Sequence, residues 1–382
     1  MTTTAHFAVE EKDYLGAFEA LGHALLDLEM VDALLAPKRQ AGRNWVMPSL
    51  MTDPEAVTGL DPLSPIYPLN GARNVARLSR TPPGGKLAVL MRPCEVRAFV
   101  ELVKLKQGNP ESLFIISVDC LGAVDNRSAR ASGTGDGRAY SIDFVEQARG
   151  AGDPDALEML APACKVCEHP VAAAAPLAEA GVADLTIGVI GVDIDNFLLL
   201  EARTEKGEVL LGALDLPAGE IPPGREAAIE SLVKARTVAR DEMFTATRKA
   251  TGDLTKLEAY LVTCVNCYNC RVACPVCYCR ACVFTTDVFD HPSAQYLGWA
   301  RRKGALRMPT DTIFYHLTRL AHMSTACVGC GQCSNACPNE IPLMELFRTV
   351  AQRTQAGFGY EAGRSLEEPP PLSTFETEEY SE

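Results

Sequence analysis

The stretch CVNCYNCRVACPVCYCRAC, residues 264–282, puts seven cysteines in nineteen positions, and CVGCGQCSNACP follows at 327–338. In the first, Cys264, Cys267, Cys270 and Cys274 precede Pro275 with the spacing C-x2-C-x2-C-x3-C-P. Cys327, Cys330, Cys333 and Cys337 precede Pro338 with the same spacing. Three cysteines so placed let one tight loop reach three corners of a 4Fe-4S cube, while the fourth is carried away by the chain and, in two-cluster proteins, serves the other cube. The spacing therefore predicts one cluster on Cys264, Cys267, Cys270 and Cys337, and a second on Cys327, Cys330, Cys333 and Cys274. Two structural zinc sites are the competing reading, and these favour paired C-x-x-C clips over a triple closed by Cys-Pro. Cys277, Cys279 and Cys282 are left over, as a substitute ligand or as buried thiols.

The rest of the composition agrees with a reduced, metal-binding chain. The start, MTTTAHFAVEEKDYLG, lacks the charged and apolar regions of a secretory signal, and no run of about 18 apolar residues occurs. A soluble cytoplasmic protein is expected, and in that compartment the fifteen cysteines serve metals better than disulfides. With 49 acidic and 36 basic side chains the net charge is -13, which argues against nucleic acid and leaves proteins and small molecules as partners.

Four regions follow from the patterning. Residues 1–80 read as an N-terminal helical or irregular segment, with Leu15, Phe18, Leu21, Leu25 and Leu28 on one helical face before a proline-dotted stretch. Residues 81–250 read as an α/β core that contains a glycine-rich excursion, ASGTGDG at 131–137, and ends in a helical connector. Residues 251–356 hold both cysteine motifs, and 357–382 form an acidic, proline-rich tail with too little apolar surface to fold alone. Between the motifs, Ile313, Leu317 and Leu320 share a helical face; after them, Leu343, Leu346, Phe347 and Val350 do the same. Residues 255–356 thus resemble the α-helical ferredoxin module of succinate dehydrogenase iron–sulfur subunits and heterodisulfide reductase C subunits.

Four further cysteines lie in the first half. GGKLAVLMRPCEVRAFVELVKLK reads as a buried strand, a short loop and a helix with Cys94 at its start, where the positive end of the helix dipole favours a thiolate. Cys120 follows the apolar strand Leu113–Val118, and ligands gather at the carboxyl ends of strands in open α/β sheets. Cys164 and Cys167 form a C-x-x-C clip. These four could hold a third cube; the alternatives are a zinc site on Cys164, Cys167 and His169, or ordinary buried thiols. Arg73, Arg77 and Arg80 share a helical face suited to an anionic coenzyme, a protein contact or solvent.

MRPCEVRAFVEL, ISVDCLG, CKVCEHP, ADLTIGVIGVD and FLLLEARTEKGEVLL occur in that order. Together they resemble the β-subunit family of coenzyme F420-reducing hydrogenases and F420-dependent formate dehydrogenases. The resemblance implies an α/β flavin-binding core with FAD beside Gly188 and Gly191, and a 4Fe-4S cluster on Cys94, Cys120, Cys164 and Cys167. It further implies coenzyme F420 as hydride carrier, with NAD(P)H as the alternative. A partner subunit resembling formate dehydrogenase, hydrogenase or heterodisulfide reductase would complete the reaction. A flavin belongs between carrier and clusters because it accepts two electrons together and releases them singly. No side chain stands out as an acid, base or nucleophile, and hydride transfer between ring systems needs none. The competing function is an iron–sulfur relay without flavin.

Overall fold

The structure, a computed structural model, describes residues 3–80, 85–127, 135–149, 158, 160–172, 182–279, 281–289, 291–303 and 311–373. Its strands are β1 (Thr4–Ala8), β2 (Ala33–Arg39), β3 (Val46–Met51), β4 (Leu87–Met91), β5 (Leu113–Val118), β6 (Leu185–Gly188) and β7 (Phe197–Ala202). They form one mixed sheet in the order β1-β7-β6-β5-β4-β2-β3. β2, β4, β5 and β6 run parallel, and β1, β3 and β7 pair antiparallel to their neighbours. The carboxyl ends of the parallel strands lead into the Cys94 loop, the Cys120 loop and the Gly188 turn.

The central strands are apolar throughout, LAVLM and LFIISV, because both sheet faces are covered. On one face Ala88, Leu90, Phe114 and Ile116 meet Leu15, Phe18, Leu21 and Leu25 of α1 (Tyr14–Asp27) in a shared core. On the other, Leu87, Val89, Leu113 and Ile115 pack with Val75 of α2 (Ala72–Arg80) and with Val96, Phe99 and Val100 of α3 (Pro93–Lys104). The first core also takes in Phe144 and Val145 of α4 (Gly137–Ala148).

The second core does not stop at the sheet. It continues through Leu261, Val276, Phe284, Tyr315, Leu343 and Phe347 of the cysteine-rich region, so one apolar body joins the two. That region is reached through α5 (Pro162–Lys165), α6 (Glu205–Ala213) and the long α7 (Arg225–Ala250). It is built from α8 (Leu254–Leu261), α9 (Asn269–Ala273), α10 (Ser293–Lys303), α11 (Thr312–Met323), α12 (Gln332–Asn335) and α13 (Leu343–Gly357). Among the described residues no helix is long and apolar enough to cross a membrane.

Two regional expectations change. Residues 1–80 are not merely helical or irregular: they supply β1, β2 and β3 to the sheet. These strands are short, and Pro37 faces Pro48 across β2 and β3, which breaks the alternating pattern. Pro37 is tolerated because β2 pairs with β4 only over Ala33–Leu35, so its missing N–H faces no ladder partner there. The tail, as far as residue 373, is anchored on α3. Glu101 accepts hydrogen bonds from the Tyr360 hydroxyl (2.6 Å) and the Gly363 N–H (2.7 Å), and Arg97 donates to the Ala362 carbonyl (2.8 Å). Residues 131–134 of the glycine-rich excursion and 374–382 of the tail lie outside the described residues.

Glu101 also meets Lys104 at 3.3 Å, with both side chains only 2% exposed, and burial lowers the Lys104 pKa. Removing the carboxylate leaves a buried ammonium, a tyrosine hydroxyl and a backbone N–H without it. Glu101→Ala is expected to cost about 3–5 kcal/mol in urea unfolding and to make the chain near Tyr360 cleavable in limited proteolysis.

Candidate metal centres

The first site forms where β4 and β5 end. Cys94 lies in the first turn of α3, behind Pro93. Glu95 fixes that turn by accepting from the backbone N–H groups of Arg92 (3.0 Å) and Gly71 (2.5 Å), while the Arg92 guanidinium lies 3.5 Å from the centre of the Tyr67 ring. Cys120 follows Asp119, whose carboxylate accepts from Val189 N–H (2.9 Å), Ile190 N–H (3.1 Å) and Arg225 (2.7 Å). Cys164 and Cys167 come from α5 and the turn after it, where Cys167 N–H meets the Cys164 carbonyl at 3.3 Å.

All four thiols line one cavity of about 480 Å³. Burial pushes the Cys94 thiol well up, against the pull of Arg92, with Glu95, Cys120 and Cys167 adding to the rise. Burial also raises Cys120, and takes Cys164 to about 11 with help from Cys120 and Cys167. Four converging thiols that do not ionise readily by themselves suit iron, whose binding displaces the protons. The zinc alternative needs His169 turned toward the C-x-x-C clip. His169 lines the same cavity, with its Nε2 engaged by Glu361 at 3.4 Å and Glu168 at 3.6 Å. Among the described residues no three such side chains are drawn together as around a single ion; a cube holds its thiolates farther apart, one at each corner.

The two cysteine-rich motifs exchange members. Cys264, Cys267 and Cys270 line a second cavity with Cys337 of the other motif. Cys274, in turn, lies among Cys327, Cys330 and Cys333, close enough that their charges raise one another's pKa values after burial has done so. The three groups adjoin, and Cys330 and Cys337 also line the first cavity. Cys94 of the core quartet acts on Cys330 of the inner quartet, and Cys270 of the outer quartet acts on Cys333. The outer quartet carries Cys267, the one exposed cysteine of the fifteen. Cys277, raised to about 11 by burial and by Cys274, lines neither cavity, and neither do Cys279 and Cys282.

The motifs are held against the α/β core by specific contacts. Gly331 has a φ of +76°, and a Cβ there would lie 2.3 Å from the Cβ of Ala163, so only glycine lets this loop reach α5. Arg348 of α13 donates to the Val166 carbonyl (2.5 Å) and pairs with Glu168, and Gln332 donates to the Tyr67 carbonyl (3.4 Å). Burial pushes the Glu168 carboxyl up, but Arg348, His169 and Arg97 prevail and hold it well below the usual range.

The expected flavin contacts do not line the large cavity. A Cβ on Gly188 would lie 2.9 Å from Arg225 Cζ, and one on Gly191, at φ +68°, would lie 2.7 Å from Arg225 Cα. The space beside this turn is therefore filled by the start of α7. Arg73 donates to the Val272 carbonyl (3.0 Å), while Arg77 faces solvent. The structure thus places none of these four residues on the cavity of the core quartet. Sequence periodicity also missed three residues of α11. It put Ile313, Leu317 and Leu320 on one helical face, of which Leu317 is 41% exposed, while Tyr315, His316 and Arg319 are buried against the outer quartet. An arginine and a histidine inside an otherwise apolar helix were the signal.

Residues 260–341 match the family of 4Fe-4S dicluster domains. The chain is thus an iron–sulfur protein that joins a mixed α/β core to a C-terminal dicluster domain. It is similar to the F420-dependent formate dehydrogenase subunit beta of Methanocaldococcus jannaschii, 26% identical over 376 residues, which cover 93% of each chain. It is also similar to the F420-dependent formate dehydrogenase 1 subunit beta of Methanococcus maripaludis, 28% identical over 393 residues, 95% of this chain and 94% of that one. Among solved structures, a chain of the F420-reducing nickel–iron hydrogenase complex from Methanosarcina barkeri aligns at TM-score 0.46 and 15% identity, covering 67% of this chain and 94% of that chain. The resemblance drawn from the sequence motifs holds across nearly the whole chain.

Cys164→Ser is expected to lower iron by about four atoms per chain and to leave the two dicluster signals in the reduced EPR spectrum. An unchanged iron content would remove the core quartet as a cluster site, and zinc in the parent protein would restore the His169 alternative.

Proposed function

We propose that this chain is the electron-carrying β subunit of an F420-linked oxidoreductase, with formate dehydrogenase as the favoured catalytic partner and hydrogenase or heterodisulfide reductase-like proteins as the alternatives. The three quartets would hold 4Fe-4S clusters, which when bound would carry single electrons between the core and a partner that approaches Cys267. The observation that carries this reading is the adjacency of three cysteine quartets, one lining the cavity at the strand ends and one bearing the exposed Cys267. The relatives, named as F420-dependent formate dehydrogenase subunits, support the carrier and the partner.

The clusters, when bound, supply one-electron carriage; a flavin, when bound, supplies the conversion from paired to single electrons. The cavity beside the core quartet lies within the range of roughly 300–1,000 Å³ usual for cofactor sites. Besides the cysteines it offers Tyr67, Asn70 and Arg92 near the strand ends, and Arg236, whose guanidinium donates to the Leu121 carbonyl (2.7 Å). Its rim is held by Arg127, which donates to the Pro338 carbonyl (3.0 Å) and pairs with Glu340, and by Asn126 N–H bonded to Asn335 (2.8 Å).

One observation favours the second reading, a relay without flavin: Gly188, Gly191, Arg73 and Arg77 lie away from this cavity. The two readings separate on anaerobically purified protein. The first expects bound FAD, bleached by reduced F420 and not by NADH, with about twelve iron atoms per chain. Bleaching by NADH alone would replace the carrier, and iron-replete protein that neither contains nor takes up flavin would establish the relay.

A further inference from the structure

We propose that Arg319, assisted by Tyr315 and His316, sets the potential of the outer cluster above that of the inner one, so that electrons collect at the outer cluster. The proposal rests on the reading that Cys264, Cys267, Cys270 and Cys337 hold a 4Fe-4S cluster.

Helix α11 brings three polar side chains to the outer quartet. Tyr315 and Arg319 are one turn apart and therefore share a face. Arg319 Nη1 donates to Cys270 Sγ at 3.1 Å, and Nη2 donates to the Cys270 carbonyl at 3.2 Å. The Tyr315 hydroxyl is 3.4 Å from the same sulfur, and His316 Nε2 is 3.4 Å from Cys264 Sγ. Arg319 is 4% exposed, and its Nε has no hydrogen-bond partner. Among the described residues no carboxylate lies within ion-pair distance of it; the Phe347 ring, 4.6 Å away, is a weak substitute. A guanidinium withdrawn from water needs an anion. A cube held by four thiolates is negative and becomes more so by one charge on reduction.

The direction of the effect follows. A positive charge and hydrogen bonds at the sulfurs stabilise the reduced form more than the oxidised form, and so raise the potential. The two clusters are not served equally. Arg319 bonds directly to Cys270 of the outer quartet, whereas Cys274 and Cys333 of the inner quartet feel only its charge. The inner cysteines Cys274, Cys327 and Cys330 have the backbone N–H groups of Val276, Cys277, Gly329 and Gln332, which are neutral donors, and Arg348 and Arg97 reach Cys327 by charge without donating to a sulfur. A hydrogen bond from an ionised donor is roughly twice as strong as a neutral one. The same helix thus lowers the energy of an electron on the outer quartet more than on the inner.

The test is a potential-controlled EPR titration of the full-length, cluster-loaded chain as Arg319→Gln, Arg319→Lys and Tyr315→Phe. The outer signal is assigned by its loss in Cys264→Ser. Arg319→Gln is expected to keep its iron and to lower the outer potential by at least about 59 mV, the equivalent of a tenfold change for one electron, while the inner signal moves less. Arg319→Lys should recover most of the shift, and Tyr315→Phe should show a smaller one in the same direction. An iron-replete Arg319→Gln protein with an unmoved outer potential would overturn the proposal, as would a larger movement of the inner signal. If Arg319→Gln does not retain iron, the conservative Tyr315→Phe decides, and an unmoved potential there overturns it. Iron content unchanged in Cys264→Ser would instead show that no outer cluster exists, so that the underlying reading fails first.

Discussion

A thiolate withdrawn from water needs a counter-charge, and this chain gathers twelve cysteines in three groups with few cations among them. Arg92 and Arg236 stand near the first group, Arg348 and Arg97 near Cys327 of the second, and Arg319 near the second and third. Protonation would remove the charge, and burial drives several of the thiols that way, but it would leave cavities lined by sulfur without a partner. Iron satisfies the same groups by replacing the protons. The exchange of Cys274 and Cys337 between motifs gives that chemistry a structural consequence. Each metal centre would draw on both ends of a segment of more than fifty residues, so α8 to α12 depend on both centres together.

The α/β core supplies rigid ends for the sulfur ligands. Cys94 is set by a proline-started helix whose first turn is locked by Glu95, and Cys120 by a loop tied through Asp119 to Arg225. Arg225 also pairs with Glu201 at 3.2 Å, so one buried guanidinium joins three strand ends to the start of α7. Arg348 and the loop at Gly331 then fix the dicluster region against the Cys164–Cys167 turn. One-electron transfer requires that donor and acceptor keep a constant separation, and a shared apolar core is the means this chain uses. A flexible linker between separate domains would not provide it.

Much of this was readable from the sequence, for identifiable reasons. Cysteine spacing is a local property, so both motifs and their exchanged fourth members could be read directly. The strand β5 and the helix start at Cys94 were legible because their apolar periods are uninterrupted. What was not legible depended on tertiary context. Short strands bearing Pro37 and Pro48 carry no clear alternation, and the tail's affinity for Glu101 cannot be seen in the tail itself. At Gly188 and Gly191 the need for close approach is legible but the neighbour is not, and here Arg225 is packed against both. The part of α11 that meets the outer quartet was not legible because hydrophobic periodicity gives no weight to Arg319 and His316, whereas here they face sulfur.

The central claim is that three iron clusters adjoin, with ligands exchanged between the two motifs. Anomalous scattering at the iron absorption edge, from crystals of the anaerobically prepared protein, tests it most directly. The account predicts three tetranuclear iron centres, with Cys274 bound to the cluster of Cys327, Cys330 and Cys333, and Cys337 bound to that of Cys264, Cys267 and Cys270. Two iron centres, each ligated by the four cysteines of its own motif, with no iron at Cys94, Cys120, Cys164 and Cys167, would contradict it.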